Sequence, residues 1–223
     1  MLNALEAMKA RRSIREFETT PVPAETIAKI VEAAGNAPSS KNTQPWRLYL
    51  VQGAALDALR KDYLAAFDAG VAGKAGYSYS PNPLPEAWAN RARDCGISLL
   101  KHKGIGRDDK DKRLAHDRAN FEFFGAQQVF FVGVSHSTYS HGTFLDVGFM
   151  FNNIMLGLAA EGLGSCPQFS VMAYPDILKK HLPASDDVLF IAGLPFGVPK
   201  KGSHINEFQP ARMPVAEWFT VVD

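Results

Sequence analysis

The residues FLDVGFMFNNIMLGLAAE, numbers 144–161, are apolar on nearly every side when they are arranged as a helix. In a water-soluble protein, a helix of this kind must be central in its domain or buried between two subunits. Asp146, Asn152 and Asn153 interrupt the apolar window 144–160, which is too polar and too short for a membrane span. The stretch therefore predicts a central helix around which the other elements pack.

Segments with strand-like composition or helical spacing lie on both sides of this helix. The predicted strands are Leu48–Val51, Val129–Val134 and Val188–Gly193, and the predicted helices are Ala24–Ala34, Leu56–Phe67, Glu86–His102, a piece that reaches Phe124, and a short segment from Pro175. Helices and strands do not alternate strictly, and no linker separates two cores, so we predict one α+β domain over residues 1–223. No GxGxxG motif follows a strand, which argues against a Rossmann dinucleotide-binding domain.

Two segments have no regular period. Residues 70–85 are rich in Gly, Pro, Tyr and Ser, and connections of this length in compact domains are usually lids, binding loops or disordered. The aromatic side chains Tyr77 and Tyr79 favour a lid, although the segment could equally just cover the core. The tail, residues 202–223, keeps three large aromatic side chains, which indicates that it lies across another surface, most simply a partner subunit.

The overall composition excludes several classes of protein. The 24 basic side chains nearly balance the 23 acidic ones, so neither a nucleic-acid-binding stripe nor an acidic disordered tail is indicated. Cys95 and Cys166 are not in a CxxC pair and are typical of free thiols in a reducing compartment. Because no signal peptide is recognisable, the expected location is the cytoplasm. The six histidines have no further ligands at suitable spacing, so no metal site is predicted.

A second informative stretch is Arg11-Arg12-Ser13-Ile14-Arg15, in which three guanidinium groups and a hydroxyl occur within five residues. If the helical pattern that precedes it continues, Arg11 and Arg15 lie one turn apart on one face. Arginine offers a fork of donors that matches phosphate, and serine adds a further donor. The cluster therefore predicts either an anion clamp or, as for most charge runs, a solvated face.

A third stretch is the polar loop APSSKNTQPWR, residues 37–47. Its two prolines fix the backbone before any ligand binds, and its small polar side chains can approach a planar ring. Taken alone, Ser39, Ser40 and Asn42 are also typical of an ordinary turn and helix cap. We interpret Trp46 as structural, since Pro-Trp before a strand is commonly a core anchor.

The order and spacing of these motifs, over nearly the whole chain, resemble those of the FMN-dependent nitroreductase family. The motifs are Arg11-Arg12-Ser13-Ile14-Arg15, Ala37-Pro38-Ser39-Ser40-Lys41-Asn42-Thr43-Gln44-Pro45-Trp46, the apolar helix ending in Gly162-Leu163-Gly164-Ser165-Cys166-Pro167-Gln168, Asn206, and Arg212-Met213-Pro214. The first two are the most specific part of the resemblance. Residues 120–126 and the Cys166-Pro167-Gln168 loop are similar to the branch that includes nitrobenzoate-type reductases.

The resemblance implies a central, mostly antiparallel sheet flanked by helices, in an intertwined homodimer with two FMN sites at its interface. It implies that Arg11, Ser13 and Arg15 hold the FMN phosphate and ribityl chain, with Arg12 close by and Arg212 completing the clamp. It places Pro38, Ser39, Ser40 and Asn42 of the other subunit at the flavin ring, and Pro167 and Gln168 of the first subunit along that ring. Pro210 stands where many members of the family have a lysine, so either the phosphate is held by less charge or Arg12 substitutes.

The implied activity is that of an FMN-dependent oxidoreductase. NADH or NADPH delivers a hydride, and a small acceptor such as a nitroaromatic compound or a quinone then takes the same place and is reduced. No catalytic acid or base is expected, because the flavin carries the reactivity. The segment with Tyr77 and Tyr79 is the predicted determinant of acceptor choice. Two alternatives stay open: other chemistry at the same flavin, namely dehalogenation, alkene reduction or flavin cleavage, and a non-catalytic FMN-binding sensor or reserve.

Overall fold

The computed structural model of the protein describes residues 2–222. Within them lie seven α-helices and four strands, in the order α1 Ala4–Ala10, α2 Ala24–Ala34, β1 Arg47–Gln52, α3 Gly53–Asp68, α4 Glu86–His102, α5 Lys110–Phe121, β2 Gln128–Ser135, α6 His141–Ala160, β3 Gly164–Ser165, α7 Pro175–His181 and β4 Val188–Gly197. The helices and strands predicted from periodicity are confirmed, with boundaries that differ by a few residues.

The four strands form one antiparallel sheet in the order β1-β2-β4-β3. The predicted α+β class with a mostly antiparallel sheet is therefore confirmed. All ten residues of β4 are buried, because this strand lies between two others and both sheet faces are covered. Strand β1 lies at one edge, so the hydrogen-bonding groups on its outer side have no strand partner within residues 2–222.

The pairing between β2 and β4 contains a β-bulge. Val132 pairs with Ala192 and Gly133 with Phe190, so Ile191 is the extra residue on β4. The carbonyl of Ile191 instead accepts a hydrogen bond from the hydroxyl of Tyr77. The bulge thus fixes one point of the irregular segment 70–85 to the centre of the sheet.

Alternation along β2 distributes its side chains to two hydrophobic clusters. Phe130 and Val132 join the cluster that contains α2 and α6, whereas Val129 and Phe131 join the cluster that contains α3 and α7. The sheet is therefore covered by helices on both faces. Trp46 packs against the first cluster, which agrees with the interpretation of this residue as a core anchor.

Helix α6 is the central helix that the apolar stretch predicts, and at 20 residues it is longer than the predicted window. By length and composition alone it could cross a membrane, so the description of this stretch as too polar and too short was wrong. Its side chains Val147, Met150 and Ile154 are instead buried against the sheet cluster. Leu145 and Phe149, on its opposite side, are exposed in the isolated protomer.

Capping residues in the sequence account for the positions at which helices α1 and α6 begin. Asn3 and Glu6 form a capping box at the start of α1, and the side chain of Ser140 accepts a hydrogen bond from Thr143 N at the start of α6. Between Asp68 and Glu86, the segment 70–85 has neither helix nor strand, as its composition predicts. Its role as a lid remains a prediction.

Candidate functional site

The arginine stretch is extended, so the preceding helix does not continue through it. Helix α1 ends at Ala10, and Ser13 forms a parallel β-bridge with Ser165. Ile14 N donates to Ser165 O at 2.9 Å, so the stretch runs beside β3. In extended backbone, alternate side chains share a side, and Arg11 and Arg15 are therefore related by strand geometry rather than by one helical turn.

Asn206, from the tail, holds this stretch in place. Its Oδ1 accepts hydrogen bonds from Arg15 N at 2.8 Å and Glu16 N at 3.1 Å, while its Nδ2 donates to Glu16 O at 2.8 Å. Its backbone carbonyl accepts from Arg12 Nε at 2.8 Å. Because Asn206 is 5% exposed, these four bonds replace water almost completely and fix the backbone that carries the arginines.

A close backbone approach fixes the other side of the stretch. A Cβ on Gly164 would lie 2.5 Å from Cγ1 of Ile14, so only glycine allows β3 to lie this near. This accounts for the short strand β3, which is not among the strands predicted from the sequence.

Cys166 is a buried cysteine whose pKa responds to residues of the arginine stretch. Burial raises the pKa of its thiol, while the charge of Arg15, a hydrogen bond with Ser13 and the charge of Arg11 partly oppose that rise. Side chains at alternate positions of an extended segment lie on one side, which is consistent with the influence of Arg11, Ser13 and Arg15 on one thiol. The raised pKa keeps the thiol protonated near neutral pH and makes it a packing residue rather than a nucleophile.

Arg11, Arg12 and Arg212 meet at one pocket of about 290 Å³. Arg212 comes from the exposed tail and donates only to the carbonyls of Pro210 and Ala211 within the described residues. Its guanidinium can therefore turn toward a ligand without breaking a long-range contact. Lys9 also lines the pocket and was missed by the sequence interpretation. It supplies a further charge beside Pro210, the position of the expected lysine.

The Pro38–Asn42 loop lies apart from the arginine stretch in the same protomer, and no hydrogen bond joins the two within residues 2–222. Pro38, Ser40 and Asn42 are exposed, and Ser39 is half-buried. Asp146 on α6 accepts from Ser40 N at 3.2 Å, which ties the loop to the central helix. Lys41 and Asn42 have φ values of 50° and 58°, a strained conformation for residues other than glycine.

The Pro167-Gln168 segment runs beside strand β4, through an antiparallel bridge between Gln168 and Gly193. Gln168 is 3% exposed and exchanges backbone hydrogen bonds with Gly193 of β4. Its Nε2 donates to the carbonyl and to Oδ1 of Asn120 at 2.9 and 3.3 Å, and its Oε1 has no partner among the described residues. A buried acceptor without a donor is costly, and a bound molecule with an N–H group would satisfy it. The sequence contains no signal that would have identified Asn120 in this role.

An aromatic pocket of about 250 Å³ lies between segment 70–85 and α6. The ring of Tyr79 stacks on Phe169 with centroids 3.9 Å apart, and Tyr77 packs edge-on against Phe144. Burial raises the pKa of Tyr77 to about 12, so its hydroxyl remains a donor to Ile191. The pocket is suited to a flat apolar group.

No group of three His, Cys, Asp or Glu side chains that could hold a metal ion occurs within residues 2–222. The polar groups at the candidate site include the guanidinium groups of Arg11, Arg12 and Arg212, which are hydrogen-bond donors. Such a set suits an anionic, hydrogen-bonding ligand.

The sequence model of the nitroreductase family matches residues 8–198 of the chain. A chloronitrobenzene nitroreductase from Comamonas testosteroni is 31% identical over 218 residues, which cover 97% of this chain and 96% of that protein. The crystal structure of an FMN- and NADPH-dependent nitroreductase, NfnB from Sphigopyxis sp. strain HMH, is 31% identical, with a TM-score of 0.94 and full coverage of both chains. NfnB from Mycobacterium smegmatis in complex with NADPH is 28% identical, with a TM-score of 0.93 and coverage of 99% and 98%. The chain belongs to the nitroreductase family.

Proposed function

We propose that the protein is an FMN-dependent NAD(P)H oxidoreductase that reduces nitroaromatic compounds, quinones or similar electron-poor acceptors by a ping-pong mechanism. The observation that carries the proposal is the meeting of Arg11, Arg12 and Arg212 at one polar pocket, at one end of an extended stretch that also presents Ser13 and Arg15. A phosphate dianion is the ligand that such a group of guanidiniums fits best.

The chain's residues fit the other parts of FMN as well. Ser13 and Arg15 offer donors along the extended stretch, and Gln168 offers a buried acceptor that lacks a donor. Pro167 would lie along the ring, and Pro38, Ser39, Ser40 and Asn42 would reach it from the partner subunit. When bound, FMN supplies the hydride-transfer chemistry, and these side chains bind it, orient it and exclude water.

The reduced nicotinamide and the acceptor are proposed to use one apolar slot in turn. The relatives support this assignment, since one of the similar structures is a nitroreductase in complex with NADPH and one of the similar proteins is a chloronitrobenzene nitroreductase. The aromatic pocket beneath Tyr79 supports an aromatic acceptor, because flat rings stack favourably on such side chains. Segment 70–85 would then act as a lid that selects acceptors.

The active species is proposed to be a homodimer, and three exposed apolar surfaces support this. Leu145 and Phe149 lie on the outer side of α6, and Trp218 and Phe219 lie in the tail. An apolar groove of about 600 Å³ lies beside the edge strand β1 and helix α2. We infer that the tail of each protomer reaches the other, because exposed apolar groups of this size are usually covered. The dimer would bring the Pro38–Asn42 loop of one protomer to the arginine stretch of its partner.

Residues 1–223 are proposed to form one domain in the cytoplasm. Both hydrophobic clusters share the same sheet, which supports one folding unit. Neither Cys95 nor Cys166 is in a disulfide, which supports a reducing compartment.

The decisive experiment is the visible spectrum of the purified protein, followed by anaerobic titration with NADH and NADPH and by a panel of acceptors. We expect a yellow protein that is bleached by at least one reduced nicotinamide and reoxidised by nitroaromatic compounds or quinones. Arg11→Ala should weaken FMN binding about tenfold and riboflavin binding little, because only FMN carries the phosphate. Arg47→Ala, an exposed arginine on β1, serves as the matched control.

A colourless protein that does not bind added FMN would refute the proposal. The dimer is tested separately by sedimentation equilibrium, in which Trp218→Ala should weaken self-association while Val71→Ala, an exposed apolar residue of the irregular segment, should not. A wild-type protein that remains monomeric at micromolar concentration would contradict the shared site.

A further inference from the structure

Two histidines join the end of helix α4 to the tail. His102 is the last residue of α4, and His204 begins a 3₁₀ turn over His204–Glu207. Nε2 of His102 lies 2.7 Å from the carbonyl oxygen of His204, and Nε2 of His204 lies 2.9 Å from the carbonyl oxygen of His102. The two rings stack with centroids 4.0 Å apart and an angle of 16° between their planes. Each side chain of this histidine pair therefore holds the backbone of the other residue.

The two acceptors fix the tautomer of both rings. A carbonyl oxygen can only accept a hydrogen bond, so each ring must carry a proton on Nε2. Nδ1 is then the atom of each ring that takes up a further proton in acid. The carbonyl of His102 lies at the C-terminal end of α4, where the helix offers it no partner, and His204 acts as its cap.

The same turn carries Asn206, the residue that holds the arginine stretch in place. Three apolar side chains from α4 and the tail pack together around the turn, namely Leu99, Ile205 and Phe208. This cluster and the histidine pair attach the turn to α4. A turn that moved away from α4 would carry Asn206 with it, and the backbone of the arginine stretch would lose its hydrogen-bond partners.

The charges around the two rings differ. Oε2 of Glu207 lies 3.4 Å from Nδ1 of His204, whose side chain is 67% exposed and therefore accessible to water. His102 stands between Lys101 and Lys103 in the sequence, and it belongs to none of the ion pairs among residues 2–222. A proton on Nδ1 of His204 thus has a counter-charge, whereas one on Nδ1 of His102 has none.

Protonation of both rings would place two positive charges face to face. At the observed separation of 4.0 Å, two unit charges in water repel each other enough to change an equilibrium about fivefold. Two imidazolium rings are therefore more stable apart than stacked. Separation of the rings also breaks both hydrogen bonds to the carbonyl oxygens, which releases the turn from the end of α4.

We propose that His102 and His204 are positioning residues that make the affinity for FMN depend on pH, because they hold the turn that carries Asn206. While no more than one ring of the pair is charged, the turn stays on α4 and the arginine stretch keeps its place. When both rings are charged, the turn moves away from α4 and FMN binds more weakly. The inference rests on the proposed function, because it concerns the binding of FMN.

The test compares two substitutions of His102 in the purified full-length protein. His102→Gln keeps an N–H donor near the position of Nε2 but takes up no proton, whereas His102→Ala removes both the donor and the stacked ring. Fluorescence titration with FMN gives the Kd at pH 8 and at pH 5. Comparison of each variant with wild type at the same pH cancels the protonation of the FMN phosphate itself.

The two variants should respond in opposite ways. At pH 8, His102→Ala should weaken FMN binding about fivefold, as the loss of one hydrogen bond does, and His102→Gln should change it less than twofold. At pH 5, His102→Gln should bind FMN about fivefold more tightly than wild type, because the repulsion between the rings is absent. A His102→Gln protein that matches wild type at both pH values, or a His102→Ala protein that matches it at pH 8, would overturn the proposal.

Two other histidines serve as controls. His116 contacts Lys103 rather than the histidine pair, and His141 is exposed at the start of α6. His116→Gln and His141→Gln should therefore keep the wild-type ratio of the Kd values at pH 5 and pH 8. An equal gain in FMN affinity at pH 5 for all three glutamine variants would contradict a specific role of the pair.

A measurement without FMN separates this inference from the proposed function. The amide hydrogens of Arg15 and Glu16, which donate to Asn206, should exchange faster in His102→Ala than in wild type at pH 8, and more slowly in His102→Gln than in wild type at pH 5. A colourless protein that shows these changes would refute the flavin function and leave the positioning role standing. Unchanged exchange in a protein that binds FMN would overturn the positioning role alone.

Discussion

The Arg11–Arg15 stretch and the Pro38–Asn42 loop are both proposed to hold one cofactor, yet the protomer supports them very differently. The arginine stretch is half-buried and lies against β3, and Asn206 makes four hydrogen bonds with Arg12, Arg15 and the adjoining Glu16. The loop is largely exposed, contains left-handed residues, and is tied to the core through one carboxylate, that of Asp146.

This difference indicates how a shared site can be divided. A segment that binds its ligand within its own protomer can be fixed by that protomer's interior. A segment that serves another protomer must point outward, so its shape depends on local strain and on one anchor to the central helix. The arginine stretch is anchored by Asn206 and the loop by Asp146. We therefore expect substitutions of these two residues to differ in their effects on stability and on FMN binding.

The largest effect is expected for Asn206→Ala. The change leaves Arg15 N, Glu16 N and the Glu16 carbonyl without partners in a buried place, and should lower the free energy of unfolding by about 3 kcal/mol. FMN affinity should fall as well, because the arginine backbone is released. Urea unfolding and fluorescence titration with FMN measure the two effects.

Asn36→Ala is the matched control for Asn206. Asn36 is exposed and donates only to nearby carbonyls of its own helix end, so it should change stability by less than about 1 kcal/mol. Equal losses of stability for Asn206→Ala and Asn36→Ala would show that the hydrogen bonds of Asn206 do not fix the arginine stretch.

A smaller loss of stability is expected for Asp146→Ala. The side chain anchors the loop through Ser40 N alone, and the free energy of unfolding should fall by about 1 kcal/mol. FMN affinity should nevertheless fall by about tenfold, since the partner-facing loop loses its position. Asp186→Ala, at an exposed position before β4, is the control. Unchanged FMN binding by the Asp146 variant would show that the loop does not serve the cofactor.

The smallest effect concerns the charge around the arginine stretch. The pKa of His116 is lowered below its usual value of 6.5, mainly by burial and also by Lys103 and Arg15. The unfolded chain therefore binds this proton at a higher pH than the folded chain does. Protonation of His116 therefore does not affect the free energy of unfolding above pH 6.5, and it lowers that free energy as the pH falls below 6.5.

His116→Gln removes that loss. The difference in stability between the variant and wild type should therefore favour the variant more at pH 5 than at pH 8. Thermal melts at the two pH values measure the difference, with the exposed His141→Gln as the control. A wild type that is relatively more stable in acid would contradict the sign.

Much of the fold could be predicted from the sequence because the apolar residues repeat at helical or strand spacing. Helix α4 runs from Glu86 to His102 as predicted, and β2 and β4 follow their apolar runs closely. The extended form of the arginine stretch could not be predicted, because its backbone pairs with Ser165, which is distant in sequence. A contact between residues that are distant in sequence leaves no periodic pattern in the local sequence.

The parts of the site that depend on tertiary contacts were also missed. Asn206 was recognised only as a motif residue, and its role as the clamp of the arginine stretch became visible with its hydrogen bonds. Lys9 gave no signal, since an isolated lysine in a helix is usually solvated, and Asn120 was recognised only as part of the motif at residues 120–126. Lys9 acquires its place only when α1 lies beside the tail, and Asn120 only when α5 lies beside Gln168.

The bulge at Ile191 has a consequence for how segment 70–85 can vary in length. Because the hydroxyl of Tyr77 joins that one carbonyl, the irregular segment has a pivot near its middle and two arms, residues 70–76 and 78–85. Either arm can lengthen or shorten by insertion or deletion while the tyrosine stays where it is. If this segment selects acceptors as proposed, one arm can change for a new acceptor while the other arm keeps its position.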